Sequence, residues 1–349
     1  LADYLGRTRG VLADPEQIII TAGYVQALAL LTDVLRRDGV HAFAMEDPGL
    51  PFHRAIVQRA GVTVVPLPMD EHGARTDLLM GTRSDDARST DAHVADEHFA
   101  DALSGVGAVV VTPAHQYPMG ATLHPARRRV LTDWARSTGG VVIEDDYDGE
   151  FRYDRQPVGA LQGTAPDRVV YVGTASKTLG PAVRLAWMVL PRHLVAPLAE
   201  AKLYADHQSD SVGQLALADL IGTHGYDRHV RAARLRYRSR RDLLLDRLES
   251  RPANPAAGFA LHGVAAGLHA LLSLPAHGPD EDEVLARAAE YEVSIEGLNT
   301  HWHGAANREH TGNRPRGLIV GYGTPTERAY PAALDALAHV LRIVPGTRR

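Results

Sequence analysis

The chain has 349 residues, with 37 basic and 42 acidic side chains, a formal net charge of −5 at pH 7, 45% hydrophobic residues and no cysteine. This length and balance are typical of a globular chain of about two domains, and they exclude intrinsic disorder and a disulfide scaffold. A pI near 6.4 disfavours non-specific binding of nucleic acid by these residues. The sequence has no apolar run of the roughly 18 residues that a membrane span needs, and it has neither a signal peptide nor an initiator Met. We therefore expect a cytoplasmic protein whose chain begins mid-protein.

In the N-terminal part, short apolar or β-branched runs alternate with segments whose apolar residues recur at helical spacing. They predict strands at 17–21, 41–45, 62–66, 108–112, 140–144, 169–173 and 182–189, and helices at 25–35, 52–59 and 125–137. Because the strands are unbroken apolar runs separated by helices, we expect a mostly parallel α/β sheet that is buried on both faces. This sheet would form a large domain at 1–205, with the polar segment at about 70–100 as a surface insertion.

The C-terminal part predicts helices first and then a smaller α/β domain, together covering 206–349. Helices are expected at 194–207, 213–221, 226–251, 280–291 and 327–341, and strands within 258–274 and at 317–321. The long stretch 226–251 is rich in arginine but also contains Asp242 and Asp246. This mixture favours a solvated amphipathic helix that bridges the two domains over a nucleic-acid-binding face.

One of the two lysines follows a predicted buried strand. Lys177 ends the sequence Thr-Ala-Ser-Lys directly after strand 169–173, whereas the other lysine, Lys202, lies in a predicted helix. Ligands of open α/β sheets bind at the carboxyl ends of strands, where burial among small residues would favour a neutral, nucleophilic amine. A lone lysine is more often an exposed loop residue, so the hypothesis of a Schiff-base lysine depends on its neighbours.

Three carboxylates and a phenol, Glu144 to Tyr147, follow another apolar strand. A buried carboxylate keeps a pyridoxal ring nitrogen protonated, and a tyrosine hydroxyl can bond to the phenolic oxygen of the ring. Asp145 and Tyr147 would fill these roles, with Asp146 as the alternative to Asp145. Carboxylates alone could equally bind a divalent metal or cap a helix, but together with Lys177 they favour the cofactor.

A phosphate group needs backbone amides and a cation. Thr21 to Leu28 reads as a strand, a glycine turn and a helix start, which leaves unpaired amides for an anion, although most glycines at such turns have no other role. A bidentate guanidinium could come from Arg184, on the strand after Lys177. The candidate phosphate contacts are Gly23, Tyr24, Val25, Thr174, Ser176 and Arg184.

Five motifs in order along the chain resemble one family. They are Thr-x-Gly-x-x-Gln-Ala-Leu at 21–28, Glu-Asp-Pro-Gly at 46–49, Thr-Pro-Ala-His-Gln-Tyr-Pro-Met-Gly at 112–120, Ile-Glu-Asp-Asp-Tyr-Asp-Gly-Glu-Phe-Arg-Tyr at 143–153 and Gly-Thr-Ala-Ser-Lys-Thr-Leu-Gly-Pro-Ala-Val-Arg-Leu at 173–185. The set resembles the aminotransferase-like effector domain of MocR-type regulators, which are GntR-superfamily transcription factors. This resemblance implies the fold of type I pyridoxal-phosphate aminotransferases and pyridoxal 5'-phosphate as cofactor.

The resemblance also assigns residue roles. Lys177 would form the internal aldimine, Asp145 would hold the pyridine nitrogen and Tyr147 the phenolic oxygen. Arg184, Thr174 and the amides after Gly23 would bind the phosphate.

Three positions depart from the pattern of ordinary aminotransferases. Tyr117 stands where they carry an asparagine near the phenolic oxygen, and Leu50 stands where an aromatic residue commonly stacks on the ring. Ile319 occupies the place of the arginine that clamps the substrate carboxylate, and isoleucine cannot pair with a carboxylate. Arg314 or Arg316 could substitute, but both are equally well explained as loop charges.

The histidines at 301–310 and in the polar insertion do not indicate a metal site. His301, His303 and His310 have no carboxylate at ligand spacing and are assigned to a polar loop, and His93 and His98 are assigned to the insertion.

The first functional hypothesis is a sensor domain in which cofactor on Lys177 forms an aldimine with an amine or amino-acid effector. The conformational change would reach DNA through a winged-helix module absent from these residues, in a homodimer. The second is a free-standing aminotransferase acting on amino acids, against which Ile319 and Tyr117 count. The third, a scaffold that has lost its cofactor, is disfavoured because the cofactor residues are present.

Overall fold

The computed structural model describes residues 1–81, 99–153, 158–249, 259–275, 278–304 and 314–343. Its helices are Ala2–Arg9, Tyr24–Arg37, Pro51–Arg59, Pro125–Thr138, Arg192–Asp206, Ser211–Gly222, Gly225–Glu249, Glu281–Glu290 and Tyr330–Ile343. Its strands are β1 (Ile18–Thr21), β2 (Ala42–Asp47), β3 (Thr63–Asp70), β4 (Gly73–Ala74), β5 (Ala108–Val111), β6 (Val141–Asp146), β7 (Val169–Thr174), β8 (Ala186–Val189), β9 (Ala260–His262), β10 (His269–Ser273), β11 (Glu296–Gly297) and β12 (Gly317–Gly321).

A large mixed sheet with a parallel centre organises the N-terminal part. Its strand order is β1-β8-β7-β6-β5-β2-β3-β4, and the strands from β7 to β3 run parallel, whereas β1, β8 and β4 pair antiparallel to their neighbours. The prediction of an α/β fold with a mostly parallel large sheet is therefore confirmed. The carboxyl ends of β2, β5, β6 and β7 meet at one edge, where ligands of such sheets bind.

Successive residues along the central strands face opposite sides of this sheet. Val110 and Ile143 pack into a core beneath helix Tyr24–Arg37, whereas Val109 and Val142 pack into a second core with Trp134 of helix Pro125–Thr138. Because both faces are covered, the central strands contain apolar residues on both sides of the pleat.

A second sheet, with strand order β11-β12-β10-β9, lies in the C-terminal part and is antiparallel throughout. Its own core combines β10 and β12 with helices Glu281–Glu290 and Tyr330–Ile343. The boundary near residue 205 stays a prediction.

Helix Gly225–Glu249 contacts both parts, as the arginine-rich segment predicted. Tyr226 and Val230 near its start pack in a cluster with β7 and β8, and Leu244 near its end packs in the core of the second sheet. Midway, Arg234 donates to the carbonyl of Glu150, 2.8 Å away. Residues 250 and 251 of the predicted helix lie outside the described residues.

One expectation about the N-terminal part needs correction, and one helix there was not expected. Residues 70–81 are not part of a surface loop, because they form β4 and a short helix Thr76–Met80 whose Leu78 and Leu79 are buried. The remainder of the predicted insertion, 82–98, lies outside the described residues. The sequence also did not predict helix Ala2–Arg9, although Tyr4 and Leu5 anchor it in a core.

None of the helices in the described ranges has the length and apolar character required to cross a membrane.

Candidate functional site

A cavity of about 320 Å³ lies at the shared edge where β2, β5, β6 and β7 end. Every predicted site residue lines this cavity except Gly23, which directly precedes the lining residue Tyr24. The predicted residues brought together in this lining are Tyr24, Val25, Leu50, Tyr117, Asp145, Tyr147, Thr174, Ser176, Lys177 and Arg184.

The two neighbouring aspartates of β6 face opposite sides of the sheet. Asp145 lines the cavity, and its buried Oδ1 has no hydrogen-bond partner. Burial raises its pKa well above the usual range, and nearby Asp146 adds to this effect. Asp146 instead pairs with Arg9, whose Nε lies 2.6 Å from Oδ2, and accepts a hydrogen bond of 2.7 Å from Tyr171. The structure thus places Asp145, and not the alternative Asp146, in the cavity.

Lys177 enters the cavity from the loop after β7, but its side chain is exposed. The expected desolvation of this lysine is therefore wrong for the protein without ligand, because the loop lies at the open side of the cavity. Its charge helps to lower the pKa of two histidines, His53 and His269, although burial is the main cause in both. The other lysine, Lys202, is held 2.6 Å from Asp206, on a helix outside the cavity lining.

Gly23 and Arg184 form a cradle at one end of the cavity. Gly23 has φ +96°, and a Cβ atom there would lie 3.0 Å from the Arg184 guanidinium carbon, so a side chain would crowd this cradle. The helix that begins at Tyr24 has no side-chain cap, which leaves its first amides available to an anion. Arg184 donates to the carbonyl of Ala22, 2.6 Å away.

Arg184 does not lie on the strand after Lys177, as the sequence predicted. It lies two residues before β8, directly after a short helix Pro181–Val183, and it has a left-handed φ of 52°. Nearby, the Thr174 hydroxyl donates to Ser176 Oγ over 2.9 Å. Two hydroxyls and a guanidinium thus surround the uncapped helix end, which is a chemically suitable arrangement for phosphate.

An apolar cluster that includes residues of the second sheet packs against Tyr117, which lines the cavity. Ile319 is buried in a cluster with Leu271 and Leu298, against which Tyr117 packs. The Tyr117 hydroxyl donates to Glu296 over 3.2 Å. The two candidate substitutes for a carboxylate-clamping arginine are engaged: Arg316 donates to the carbonyl of Pro275 over 2.9 Å, and Arg314 lies 4.8 Å above the ring of Trp302.

The lining also contains three titratable residues that were not predicted, Glu46, His53 and Arg54. Glu46 accepts hydrogen bonds from the Thr112 amide and hydroxyl, at 3.1 and 2.6 Å, and burial raises its pKa to about 7. His53 packs on the ring of Tyr24 with centroids 4.6 Å apart, and burial lowers its pKa to about 4. The sequence offered one signal for Glu46: it is an acidic residue of the motif at 46–49 to which no role had been assigned.

A cluster of three buried polar residues, His115, Asp148 and His269, lies behind Tyr147. Their potential metal-binding atoms lie within 4.8 Å of one another, and within the described ranges this is the one such group found. However, His115 Nδ1 lies 2.8 Å from Asp148 Oδ2, which is a hydrogen-bonding distance. His115 and Asp148 lie in the motifs at 112–120 and 143–153, but the sequence alone indicates no role for either.

The expectation that His301 and His303 lie in a polar loop is wrong, since they are 3% and 8% exposed. His303 donates its backbone amide to Asp47 Oδ1 over 2.6 Å, which fixes this segment against the end of β2. His93, His98 and His310 lie outside the described residues.

The family model for class I and II aminotransferases matches residues 1–296. The chain belongs to the class I and II aminotransferase family. Solved aminotransferases share the fold: a Pyrococcus horikoshii kynurenine aminotransferase has a TM-score of 0.79 and 23% identity, covering 98% of this chain and 78% of that one. An archaeal alanine:glyoxylate aminotransferase has a TM-score of 0.80 and 22% identity, with the same coverage. The predicted type I fold is therefore confirmed.

Among sequence relatives, this aminotransferase-family chain is similar to longer transcriptional regulators. It is 30% identical over 327 residues to the HTH-type pyridoxine biosynthesis transcriptional regulator PdxR of Corynebacterium glutamicum, covering 94% of this chain and 63% of the relative. It is 33% identical to the uncharacterized HTH-type transcriptional regulator YhdI of Bacillus subtilis, covering 84% and 57%. It is 30% identical to the probable rhizopine catabolism regulatory protein MocR of Rhizobium meliloti, covering 70% and 45%. The resemblance to MocR-type regulators is thus confirmed, and the chain spans about three fifths of the length of the first two.

Membership of this aminotransferase family also confirms the predicted cofactor, pyridoxal 5'-phosphate. The residues present fit it. The unpartnered buried Oδ1 of Asp145 suits a ring N–H donor, and the cradle of Gly23 and Arg184 suits a phosphate. The individual roles of the lining residues stay predictions.

Proposed function

We propose that this chain is the effector-sensing domain of a MocR-type transcriptional regulator, and that an amine or amino-acid effector would replace the released Lys177 amine on the aldehyde carbon of pyridoxal phosphate. The observation that carries the proposal is the convergence of Lys177, Asp145, Tyr147 and Arg184 on one cavity, in a chain whose relatives include regulators. When bound, the cofactor supplies an electron-withdrawing pyridine ring and an aldehyde carbon that accepts amines.

Each side chain has a distinct task in this proposal. Lys177 attaches the cofactor, Asp145 accepts from the ring nitrogen, and Tyr147 donates to the phenolic oxygen. Leu50 packs on the ring face, and Tyr117 closes the side toward the second sheet. The phosphate contacts are Arg184, Thr174, Ser176 and the amides that follow Gly23 at Tyr24 and Val25.

Sensing without net turnover is favoured by the apolar wall beside Tyr117. Ile319 is buried where the family resemblance implies a carboxylate-binding arginine, so the usual orientation of an α-amino acid lacks one of its anchors. The second candidate, an aminotransferase that turns over, is supported by the complete set of cofactor groups and by the amine of Lys177, which can serve as a general base.

We further propose a cytoplasmic homodimer. Beside the cavity, the helices Arg192–Asp206 and Ser211–Gly222 expose large apolar side chains: Tyr204, Val212 and Leu215 are 82%, 76% and 70% exposed. Apolar area of this kind is typical of a protein interface. DNA recognition would belong to a winged-helix module outside these residues. By light scattering, we expect the wild type to be a dimer and the Leu215→Glu variant to be a monomer.

The first experiment is the visible spectrum of the cofactor-loaded chain before and after adding L- and D-alanine, glutamate, γ-aminobutyrate and taurine. A band that shifts with one amine and then persists supports the sensor. A band that decays to the pyridoxamine form and returns with a keto acid supports the aminotransferase.

Variants of the two lysines test which one attaches the cofactor. Lys177→Ala should abolish the visible band that survives dialysis, whereas Lys202→Arg should retain it, because Lys202 lies outside the cavity lining. A dialysis-resistant band in Lys177→Ala would overturn the assignment of the attachment residue.

A further inference from the structure

A buried histidine–aspartate pair lies on the far side of the Tyr147 hydroxyl from the cavity. His115 Nδ1 lies 2.8 Å from Asp148 Oδ2 and 3.2 Å from Tyr147 Oη. The His115 and Asp148 side chains are 3% and 2% exposed, and the residue between them and the cavity is Tyr147 itself. Tyr147 therefore contacts both the pair and the cavity.

The backbone of Gly267 closes against the pair from the side of the second sheet. Gly267 has φ +74°, and a Cβ atom there would lie 2.2 Å from His115 Cε1 and 2.7 Å from Asp148 Oδ2. Its carbonyl accepts from the Tyr322 hydroxyl, and its amide donates to Phe151, at 2.9 and 2.8 Å. The close approach of this backbone to the pair therefore requires a residue without a side chain at position 267.

The hydrogen-bond partner of His115 determines which ring nitrogen carries the proton. A carboxylate only accepts hydrogen bonds, so the short contact with Asp148 places the proton on Nδ1 of His115. A protonated Nδ1 cannot accept from Tyr147; it can only donate, over the longer 3.2 Å contact, to the phenolic oxygen. A hydroxyl that accepts a hydrogen bond becomes a better donor, and the acceptors within reach of its own proton are the Asp148 carboxylate and a ligand in the cavity.

We propose that Asp148 and His115 are positioning residues that aim the Tyr147 proton into the cavity, toward the phenolic oxygen of the bound cofactor. The proposal rests on the role of Tyr147 given under the proposed function. The other titratable groups that face Tyr147 are Asp145 and Tyr117, and His269 faces His115 with ring centroids 4.9 Å apart. Asp148 thus acts on Tyr147 both directly, by a side-chain hydrogen bond, and through His115, without touching the cofactor.

The test is a pH titration of the visible band in the loaded chain for four forms: wild type, Tyr147→Phe, Asp148→Asn and the double variant. A hydrogen bond donated to the phenolic oxygen stabilises its deprotonated form, so losing it raises the pH of the spectral transition. Tyr147→Phe should raise the midpoint by roughly one to two pH units, the equivalent of one hydrogen bond to a charged group. Asp148→Asn keeps the shape but removes the preference for one tautomer, so it should raise the midpoint in the same direction.

The double variant separates positioning from general structural damage. If Asp148 acts through Tyr147, adding Asp148→Asn to Tyr147→Phe should change nothing further. An unshifted Asp148→Asn midpoint, or a shift that persists in the double variant, overturns the inference while leaving Tyr147 in its role. No shift in Tyr147→Phe instead overturns the proposed role of Tyr147.

A second measurement is made on the wild type without cofactor. Nitrogen NMR of histidine-labelled wild type should show His115 protonated on Nδ1 and not on Nε2, with His115→Asn used to assign the signal. A His115 resonance with the proton on Nε2 would overturn the inference directly.

Discussion

The buried ion pair between the N-terminal helix and β6 predicts a large loss of stability when it is broken. Arg9 and Asp146 are 4% and 2% exposed, and the guanidinium bonds to both carboxylate oxygens, at 2.6 and 3.0 Å, and to the carbonyl of Gly149, at 3.1 Å. In Arg9→Met the carboxylate stays buried with the Tyr171 hydroxyl as its remaining partner. Leaving a buried charge unpaired costs about 3–5 kcal/mol of unfolding free energy.

Urea denaturation followed by tryptophan fluorescence measures this loss. With a slope of about 3 kcal/mol per molar urea, the midpoint should fall by roughly 1 to 1.7 M. The same helix offers a matched control, because Arg7 pairs with Asp227 at the surface, with side chains 54% and 24% exposed. Arg7→Met should leave the midpoint almost unchanged, since exposed pairs are screened by water and salt.

A further variant distinguishes lost charge pairing from lost packing. Arg9→Met combined with Asp146→Asn removes both charges and should recover much of the stability. The reasoning is refuted if Arg9→Met loses no more stability than Arg7→Met.

Three further predictions concern the cavity. Arg184→Ala should weaken cofactor binding by roughly 1.5–3 kcal/mol, as for a lost charge-assisted contact, in an equilibrium titration; unchanged affinity would remove Arg184 from the site. Asp145→Asn should raise the melting temperature of the cofactor-free chain, because burial raises the pKa of this carboxyl, and should lower cofactor affinity; a lower melting temperature would contradict the first half. Glu46 has its pKa raised from 4.5 to about 7, so the folded state keeps a proton that the unfolded state releases between these values. Stability relative to Glu46→Gln should therefore be full below pH 4.5 and fall by on the order of 3 kcal/mol as the pH rises to 7, and parallel urea curves for both forms across that range would refute it.

Much of the cavity could be predicted because parallel strands carry their carboxyl ends to one edge. Asp145, Thr174 and Lys177 each follow an apolar strand, and strand order then determines that they meet. The choice between Asp145 and Asp146 needed coordinates, because both follow the same apolar run. It depends on Arg9, which lies 137 positions away in sequence and occupies the other face of β6.

Burial was the property that sequence predicted least well. His301 and His303 belong to a polar stretch, yet contacts with the end of β2 and with Tyr117 bury them. Lys177 shows the converse, since the small residues around it suggested burial and the open side of the cavity exposes it. Exposure is set by segments distant in the chain, which local composition does not encode.

The helix Gly225–Glu249 is long enough to act as a lever between the two sheets. At 1.5 Å per residue its 25 residues span about 37 Å, so a tilt of roughly 5° about one end moves the other by about 3 Å. Arg234 lies near the middle and holds the Glu150 carbonyl, three residues from Tyr147. If the helix pivots at that contact, a small rotation of the second sheet would displace the two helix ends in opposite directions. The part of the helix next to Tyr147 would then move least. The end that starts at Gly225 lies beside the N-terminal helix, where Arg7 meets Asp227, so the motion would emerge at the beginning of the chain.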